Sequence, residues 1–212
     1  MSNYTLTKYC ETTEPKAAIF LLGDENMAEK VYSLVNRDDF MLISIGGIDW
    51  NADLSPWYAE KVFSGGEDFS GNAPAFLEKF LTELIPSCGK LPDKKIIAGY
   101  SLAGLFAVWS LYNTDILSGV VSCSGSMWFD SFMEYTESHE IKSKLNRAYF
   151  SLGDKEKKTK NLRMSQVERC TERISEIIHR NCENTVFRLV PGNHFLDPDK
   201  RLADGINYIL EE

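Results

Sequence analysis

"AGYSLAGLFAVW", Ala98 to Trp109, decides how the rest of this 212-residue chain is read. It continues the apolar run "KKIIAG", which has the character of a buried strand. Leu102, Leu105, Phe106 and Trp109 then recur at helical spacing, so Ser101 stands between a strand and a helix. A serine there can occupy a sharp turn with strained backbone angles, its hydroxyl raised at the top of a sheet. The N–H of the next residue, Leu102, then lies near it and can help hold an oxyanion. Gly99, Ala103 and Gly104 are small, as a turn that brings strand and helix backbones together requires. Small residues also serve close packing alone, or a phosphate-cradling turn at a helix N-terminus. The stretch has neither the lysine of a P-loop nor a GxGxxG spacing, which sets the phosphate reading aside.

Outward from this stretch, strands and helices alternate. "AAIFLL" (Ala17 to Leu22) and "FMLISI" (Phe40 to Ile45) are short apolar runs. Between them "ENMAEKVYSLV" puts Met27, Val31, Leu34 and Val35 on one helical face. "LSGVVSCSG" and "RAYFSL" (Arg147 to Leu152) are further strands, and an amphipathic stretch runs from about Leu162 to Asn181. "TVFRLV" is a last strand, and "RLADGINYIL" is a closing helix. Strands that read as nearly continuous apolar runs, alternating with helices, predict a mostly parallel sheet covered on both faces. Ligands in such folds sit at the carboxyl ends of the strands, so the residues just after each strand carry the chemistry.

Composition narrows the function. The chain has 23 basic and 31 acidic residues, a formal net charge of -8, and no basic stripe, which argues against nucleic acid. "DKEKKTK" (Asp154 to Lys160) is local, mixed in sign, and reads as a solvated loop or helix start. No apolar run reaches the length of a membrane span, and "MSNYTLTKYC" lacks the apolar core of a signal peptide. Cys10, Cys88, Cys123, Cys170 and Cys182 are odd in number and scattered. That pattern predicts free thiols in a reducing cytoplasm rather than a disulfide framework or a metal site.

A serine nucleophile needs a base, and the chain offers three histidines. His139 lies in a polar stretch, and His179 lies near the end of the long amphipathic segment. His194 follows the last strand in "PGNHF", where Pro191 and Gly192 make a turn. His194 is therefore the candidate base. "SLGDKE" supplies two candidate acids, Asp154 and Glu156. Serine, acid, histidine is the chain order of the α/β-hydrolase triad.

Several segments carry a resemblance. "IFLLGDEN" resembles a strand and turn that usually end in "LLDG". "IGGIDWNADLSPW" is similar to a segment that leads to "R-x-x-D-L-T-P". "GGEDFSGNAPAFLEKFLTELIP" resembles the helix before the nucleophile strand. "VVSCSGSMWF" is similar to an "S-P-S-x-W" strand end, and "YFSLGDKE" and "VPGNHF" to acid and histidine segments. Together with "AGYSLAGLFAVW", they resemble the α/β-hydrolase superfamily, in the esterase group that includes siderophore (enterobactin-type) esterases and esterase D. The likeness runs from about Ala17 to Leu210.

The resemblance implies that the triad acid stands three residues after the glycine, at Glu156, with Asp154 as the alternative. It also implies a second oxyanion N–H from Gly23 to Glu25, with Asp24 taken as the donor. Three departures stand out. Ala103 replaces glycine in the serine turn, "LLGDEN" reverses the usual aspartate–glycine order, and Asn51 stands in place of an arginine. The chain is short for this group, which predicts trimmed N-terminal strands, little or no lid, and an open cleft. Trp128, Trp57 and Phe129 are the candidate lining residues.

The sequence thus predicts a single α/β-hydrolase domain over residues 1–212, with helices on both faces of a mostly parallel sheet. The expected activity is hydrolysis of a small-molecule carboxylic ester, with no metal or organic cofactor, no nucleic acid and no membrane partner. Its alternatives are a thioesterase or small peptidase on the same triad, or a binding module that has kept the fold. Oligomeric state is not fixed by the sequence.

Overall fold

Strands form where the apolar runs are, and the alternation of side chains decides which layer each residue feeds. The structure, a computed structural model, describes residues Tyr4 to Glu211. Thr5–Tyr9 is β1, Ala17–Leu22 is β2, Glu25–Leu34 is α1 and Phe40–Gly46 is β3. Next come α2 (Trp50–Asp53), the short strands β4 (Tyr58–Ala59) and β5 (Phe69–Ser70), and α3 (Ala73–Lys79). A π-helical turn, Phe80–Leu84, joins α3 to α4 (Ile85–Ser87). The Ile85 N–H there donates to the Phe80 carbonyl. The wide turn falls directly ahead of Pro86, which has no N–H for an ordinary helical bond. The remaining elements are β6 (Lys94–Tyr100), α5 (Leu102–Ser110), β7 (Gly119–Cys123), α6 (Phe132–Ser138), β8 (Arg147–Gly153), α7 (Val167–His179), β9 (Thr185–Val190) and α8 (Pro198–Ile209).

Seven strands form one sheet in the order β1-β3-β2-β6-β7-β8-β9, and β4 pairs with β5 apart from it. Only β1 runs antiparallel within the large sheet, along β3. β1 has no apolar run and mixes exposed with half-buried positions, so it left no clear strand signal. Edge position explains this, since one partner strand is enough to hold it and its outer side faces water.

Along β2 every residue is buried, yet the faces separate with a period of two. Ala18, Phe20 and Leu22 join one core with Phe106 of α5, Phe76 of α3, Phe132 of α6 and Ile174 of α7. Ala17, Ile19 and Leu21 join the other, with Val31 of α1 and Leu202 and Ile206 of α8. The sheet is thus covered on both faces. Each of these large side chains gains roughly 1.5–3 kcal/mol by leaving water.

Two sequence expectations shift at this level. The buried line of α1 is Ala28, Val31 and Val35, whereas Leu34 is 45% exposed. The helix rests on a narrow strip, so a residue one step round from Val35 faces water. The long amphipathic stretch starts later than expected. A 3₁₀ turn, Met164–Gln166, precedes α7.

Candidate active site

Ser101 follows β6 with φ 58° and ψ −123°. For a residue with a Cβ this is a strained conformation, worth roughly 1–3 kcal/mol, which the surrounding packing must supply. The packing is tight at Gly99. A Cβ there would lie 2.4 Å from the Ala103 carbonyl carbon. Glycine is therefore required on the strand side of the turn, while the helix side accepts the alanine. Ser101 N–H donates to the Cys123 carbonyl (3.1 Å), and the Ser101 carbonyl accepts from Leu105 and Ser126 N–H groups (3.1 and 3.0 Å). The turn is thereby held by β7 on one side and α5 on the other. Leu102 is the first residue of α5, so its N–H has no partner within the helix.

His194 is brought to Ser101 by the turn after β9. Its Nε2 lies 3.1 Å from Ser101 Oγ, and its Nδ1 lies 2.8 Å from Glu156 Oε2. An ionised carboxylate can only accept, so Nδ1–H donates to Glu156 and Nε2 accepts from the Ser101 hydroxyl. The Glu156 side chain is only 4% exposed, against 30% for that of His194. Burial pushes the Glu156 carboxyl up. The hydrogen bonds from His194, Ser124 Oγ and the Gly153 N–H outweigh burial and leave it below the usual glutamate range. Its other oxygen, Oε1, accepts from Ser124 Oγ (2.6 Å), Gly153 N–H (2.7 Å) and Arg201 Nη1 (3.1 Å).

Asp154 is placed differently. It is exposed, and its Oδ1 accepts from the Gly192 N–H at 2.8 Å. It therefore closes the turn against the loop that carries His194. His139 and His179 are exposed and distant from this cluster in role. His139 stacks on Tyr135 at 4.1 Å, and His179 is the last residue of α7.

Of the three residues after β2, Gly23 has its N–H taken by the Ile45 carbonyl (3.1 Å). Asp24 caps α1, its Oδ1 accepting from the Met27 N–H at 2.9 Å. None of Gly23, Asp24 and Glu25 is among the residues that line the cavity beside Ser101.

That cavity measures about 520 Å³ and opens onto Ser101, Leu102 and His194. Trp128 lines it, together with Trp50, Phe63, Phe69 and Phe195. Trp57 does not, which corrects the expectation from sequence. Its ring packs against Phe129, Phe132 and Tyr135, and its Nε1–H donates to the Asp130 carbonyl (2.9 Å). Phe129 likewise lies beneath the wall, against Phe69. The cavity's walls come from the segments 61–69 and 155–167, which are tied together. Asn161 Nδ2 donates to the Val62 carbonyl (3.0 Å), and Arg163 Nη1 to the Glu60 carbonyl (2.7 Å). Between β7 and β8 the described chain carries one short helix, α6.

Sequence reasoning missed Tyr100, Ser124 and Arg201, which surround the acid and the histidine. Tyr100 OH donates to the His194 carbonyl (2.7 Å), and Arg201 Nη1 donates to Ser124 Oγ (2.9 Å). Ser124 stands at the first serine of the "S-P-S-x-W" pattern, and that pattern was the available signal; the structure gives this strand-end serine a φ of 47°. Arg201 gave none, because a lone arginine in a helical pattern reads as a surface charge. Among the described residues no group of three His, Cys, Asp or Glu side chains could hold a metal ion. No described helix is long and apolar enough to cross a membrane.

No protein-family model matches the chain. Over 141 residues it is 23% identical to the uncharacterized protein YbbA of Bacillus subtilis strain 168. That match takes in 63% of this chain and 56% of YbbA. Among solved structures, an IroE-like serine hydrolase from Shewanella oneidensis is similar with a TM-score of 0.78 at 17% identity, over 97% of this chain and 74% of that one. The chain has the α/β-hydrolase fold. The siderophore hydrolase EstA of Aspergillus nidulans gives 0.70 at 13% identity, over 98% and 94% of the two chains. An enterochelin esterase of Shigella flexneri gives 0.67 at 18% identity, over 98% of this chain and 54% of that one. At these identities the likeness is one of α/β-hydrolase architecture. The β6–Ser101–α5 turn occupies the strand-to-helix corner where that fold presents a nucleophile.

Proposed function

We propose that this chain is a serine hydrolase that cleaves a carboxylic ester through an acyl-enzyme. One observation carries the reading: the unbroken hydrogen-bonded chain Ser101–His194–Glu156, with Ser101 on a strained turn facing a largely apolar cavity. The fold neighbours, among them a serine hydrolase and siderophore esterases, support ester cleavage as the reaction type.

In this reading His194 Nε2 takes the Ser101 proton as Oγ attacks the ester carbonyl. The Leu102 N–H holds the oxyanion, with a second N–H from Asp24 as the resemblance implies; the Gly23 N–H is engaged by the Ile45 carbonyl. Glu156 holds the imidazole in the tautomer that accepts at Nε2 and stabilises its cation. The His194 proton then passes to the leaving alcohol. Water, deprotonated by His194, releases the acid and restores Ser101. The Asp24 carboxylate, held by its own helix, is kept from the oxyanion it would repel. The protein acts as one domain on a small-molecule ester. Five unpaired cysteines support a reducing, cytoplasmic setting.

A fluorophosphonate probe with mass-spectrometric site mapping tests the reading. It should label Ser101 stoichiometrically, and Ser101→Ala should lose both labelling and turnover of 4-nitrophenyl esters. Labelling at Ser124 or Ser126, or full activity in Ser101→Ala, would overturn it.

A further inference from the structure

Arg201 lies in the first turns of α8 and is almost wholly enclosed, with 5% of its side chain exposed. A buried cation is costly unless its hydrogen-bonding capacity is met. Here it is met by four separate segments. Nη1 reaches Glu156 Oε1 (3.1 Å), Ser124 Oγ (2.9 Å) and Tyr100 OH (3.2 Å). Nη2 reaches the Asn193 carbonyl (3.1 Å) and the Pro191 carbonyl (3.5 Å). One guanidinium thus touches the ends of β6 and β7, the turn after β8 and the loop after β9.

We propose, resting on the hydrolase reading, that Arg201 is a positioning residue of the triad, locking the Glu156 carboxylate and clamping the His194 loop onto it. With Oε1 occupied by Ser124, Gly153 and Arg201, the carboxylate cannot turn, and only Oε2 is presented to the imidazole. The planar fork of an arginine suits this task, because its two ends point at different partners without a change of rotamer. Nη2 holds the carbonyl of the residue directly before His194, and Tyr100, itself bonded to Nη1, holds the carbonyl of His194. The acid and the base are therefore located by the same side chain. Gly153 fits the same scheme. A Cβ there would lie 2.9 Å from Glu156 Oε1 and 3.0 Å from Arg201 Nη2. Arg201 does not line the cavity, so it acts without touching substrate.

Arg201→Met and Arg201→Lys test this. Active sites are counted by incubation with a fluorophosphonate to completion, and turnover of 4-nitrophenyl butyrate is expressed per titrated site. By analogy with the outer partners of metal-ligating residues, whose loss costs about 10–100-fold, Arg201→Met should lose kcat per site on that scale with KM unchanged. Arg201→Lys should fall between the two, since one ammonium cannot hold both the carboxylate and the loop carbonyls. A merely structural role would lower the melting temperature and the number of titratable sites, but leave kcat per site alone. If Arg201→Met does not fold, Arg201→Lys decides. Wild-type kcat per site in every variant that folds overturns the proposal. A wild-type protein that takes up no phosphonate and hydrolyses no ester overturns the hydrolase reading itself, a result distinct from an active enzyme indifferent to position 201.

Discussion

The tripeptide Leu-Gly-Asp occurs at two strand ends, Leu22-Gly23-Asp24 after β2 and Leu152-Gly153-Asp154 after β8, and the two turns have different fates. After β2 a helix starts at once, and Asp24 is spent on its cap through the Met27 N–H. After β8 no helix follows directly. Asp154 instead binds Gly192 across the gap to the next loop, and the chain turns far enough to bring Glu156 back over Gly153. The same three residues thus cap a helix in one place and support a candidate triad acid in the other. What differs is the neighbour. β8 is flanked by β9, whose loop carries His194, whereas β2 is flanked by β3 and β6.

The largest effect that would sharpen this contrast is at Glu156. Glu156→Gln brings an amide nitrogen among the donors of Ser124, Gly153 and Arg201, or turns it toward His194 Nδ1–H. It should lower kcat by on the order of 10⁴, as loss of the orienting acid does in a serine-protease triad. Steady-state kinetics on 4-nitrophenyl esters check this. Near-normal activity there, with loss in an Asp154 variant, would reverse the roles of the two carboxylates.

Glu156 should also leave a mark on acid stability. Its folded-state pKa is depressed, so the unfolded chain binds its proton more readily. The stabilisation is present above the unfolded value of about 4.3 and is lost as pH falls through the folded one. Melting curves from pH 6 downward should therefore fall more steeply in the wild type than in Glu156→Gln.

Smaller effects are expected at the two aspartates. Asp24→Ala and Asp154→Ala each remove one side-chain bond to a backbone N–H, and each should cost about 1 kcal/mol by analogy with helix caps. Denaturant titrations measure both. Asp24→Ala should keep its kcat, because the proposed oxyanion donor is the backbone N–H. Asp154→Ala should lose some activity as well, since the Gly192 bond steadies the loop that carries His194. Equal kinetic behaviour in the two would mean that the turns are more alike than their contacts.

The smallest effects belong to the other histidines. His139→Ala and His179→Ala are surface changes, expected within about 0.5 kcal/mol of the wild type and with kcat unchanged. A large kinetic loss at His179 would move the site from the β9 loop to α7.

Most of the sheet was legible because its strands are buried on both sides and so must be apolar throughout. Ala17–Leu22, buried at every position, coincides with its apolar run to the residue, whereas Thr185–Val190 matches its expected strand although it lies at the sheet edge, is partly exposed and carries Arg188. β1 was not, because an edge strand with a wet outer side needs no such run. Ser101 and His194 were legible as candidates for a related reason, as each stands in a glycine-containing turn at a strand end. Trp57 misled, since an aromatic residue near a site carries no mark that says whether it lines the cavity or supports its wall.

The sequence by itself determined the central strands and the helices that alternate with them, the strand-to-helix turn at Ser101, and the placing of a serine, an acid and a histidine after β6, β8 and β9. These depend on short-range sterics, on the period of apolar residues and on where glycine and proline permit a turn. Only the tertiary structure decided that Glu156 rather than Asp154 meets His194, that Trp57 turns away from the cavity, and that Arg201 binds the acid. Glu156 and His194 are 38 residues apart, and Arg201 is 45 residues from Glu156. Contacts across such separations are set by how neighbouring strands and the helix over them pack, and no local pattern encodes that distance or direction.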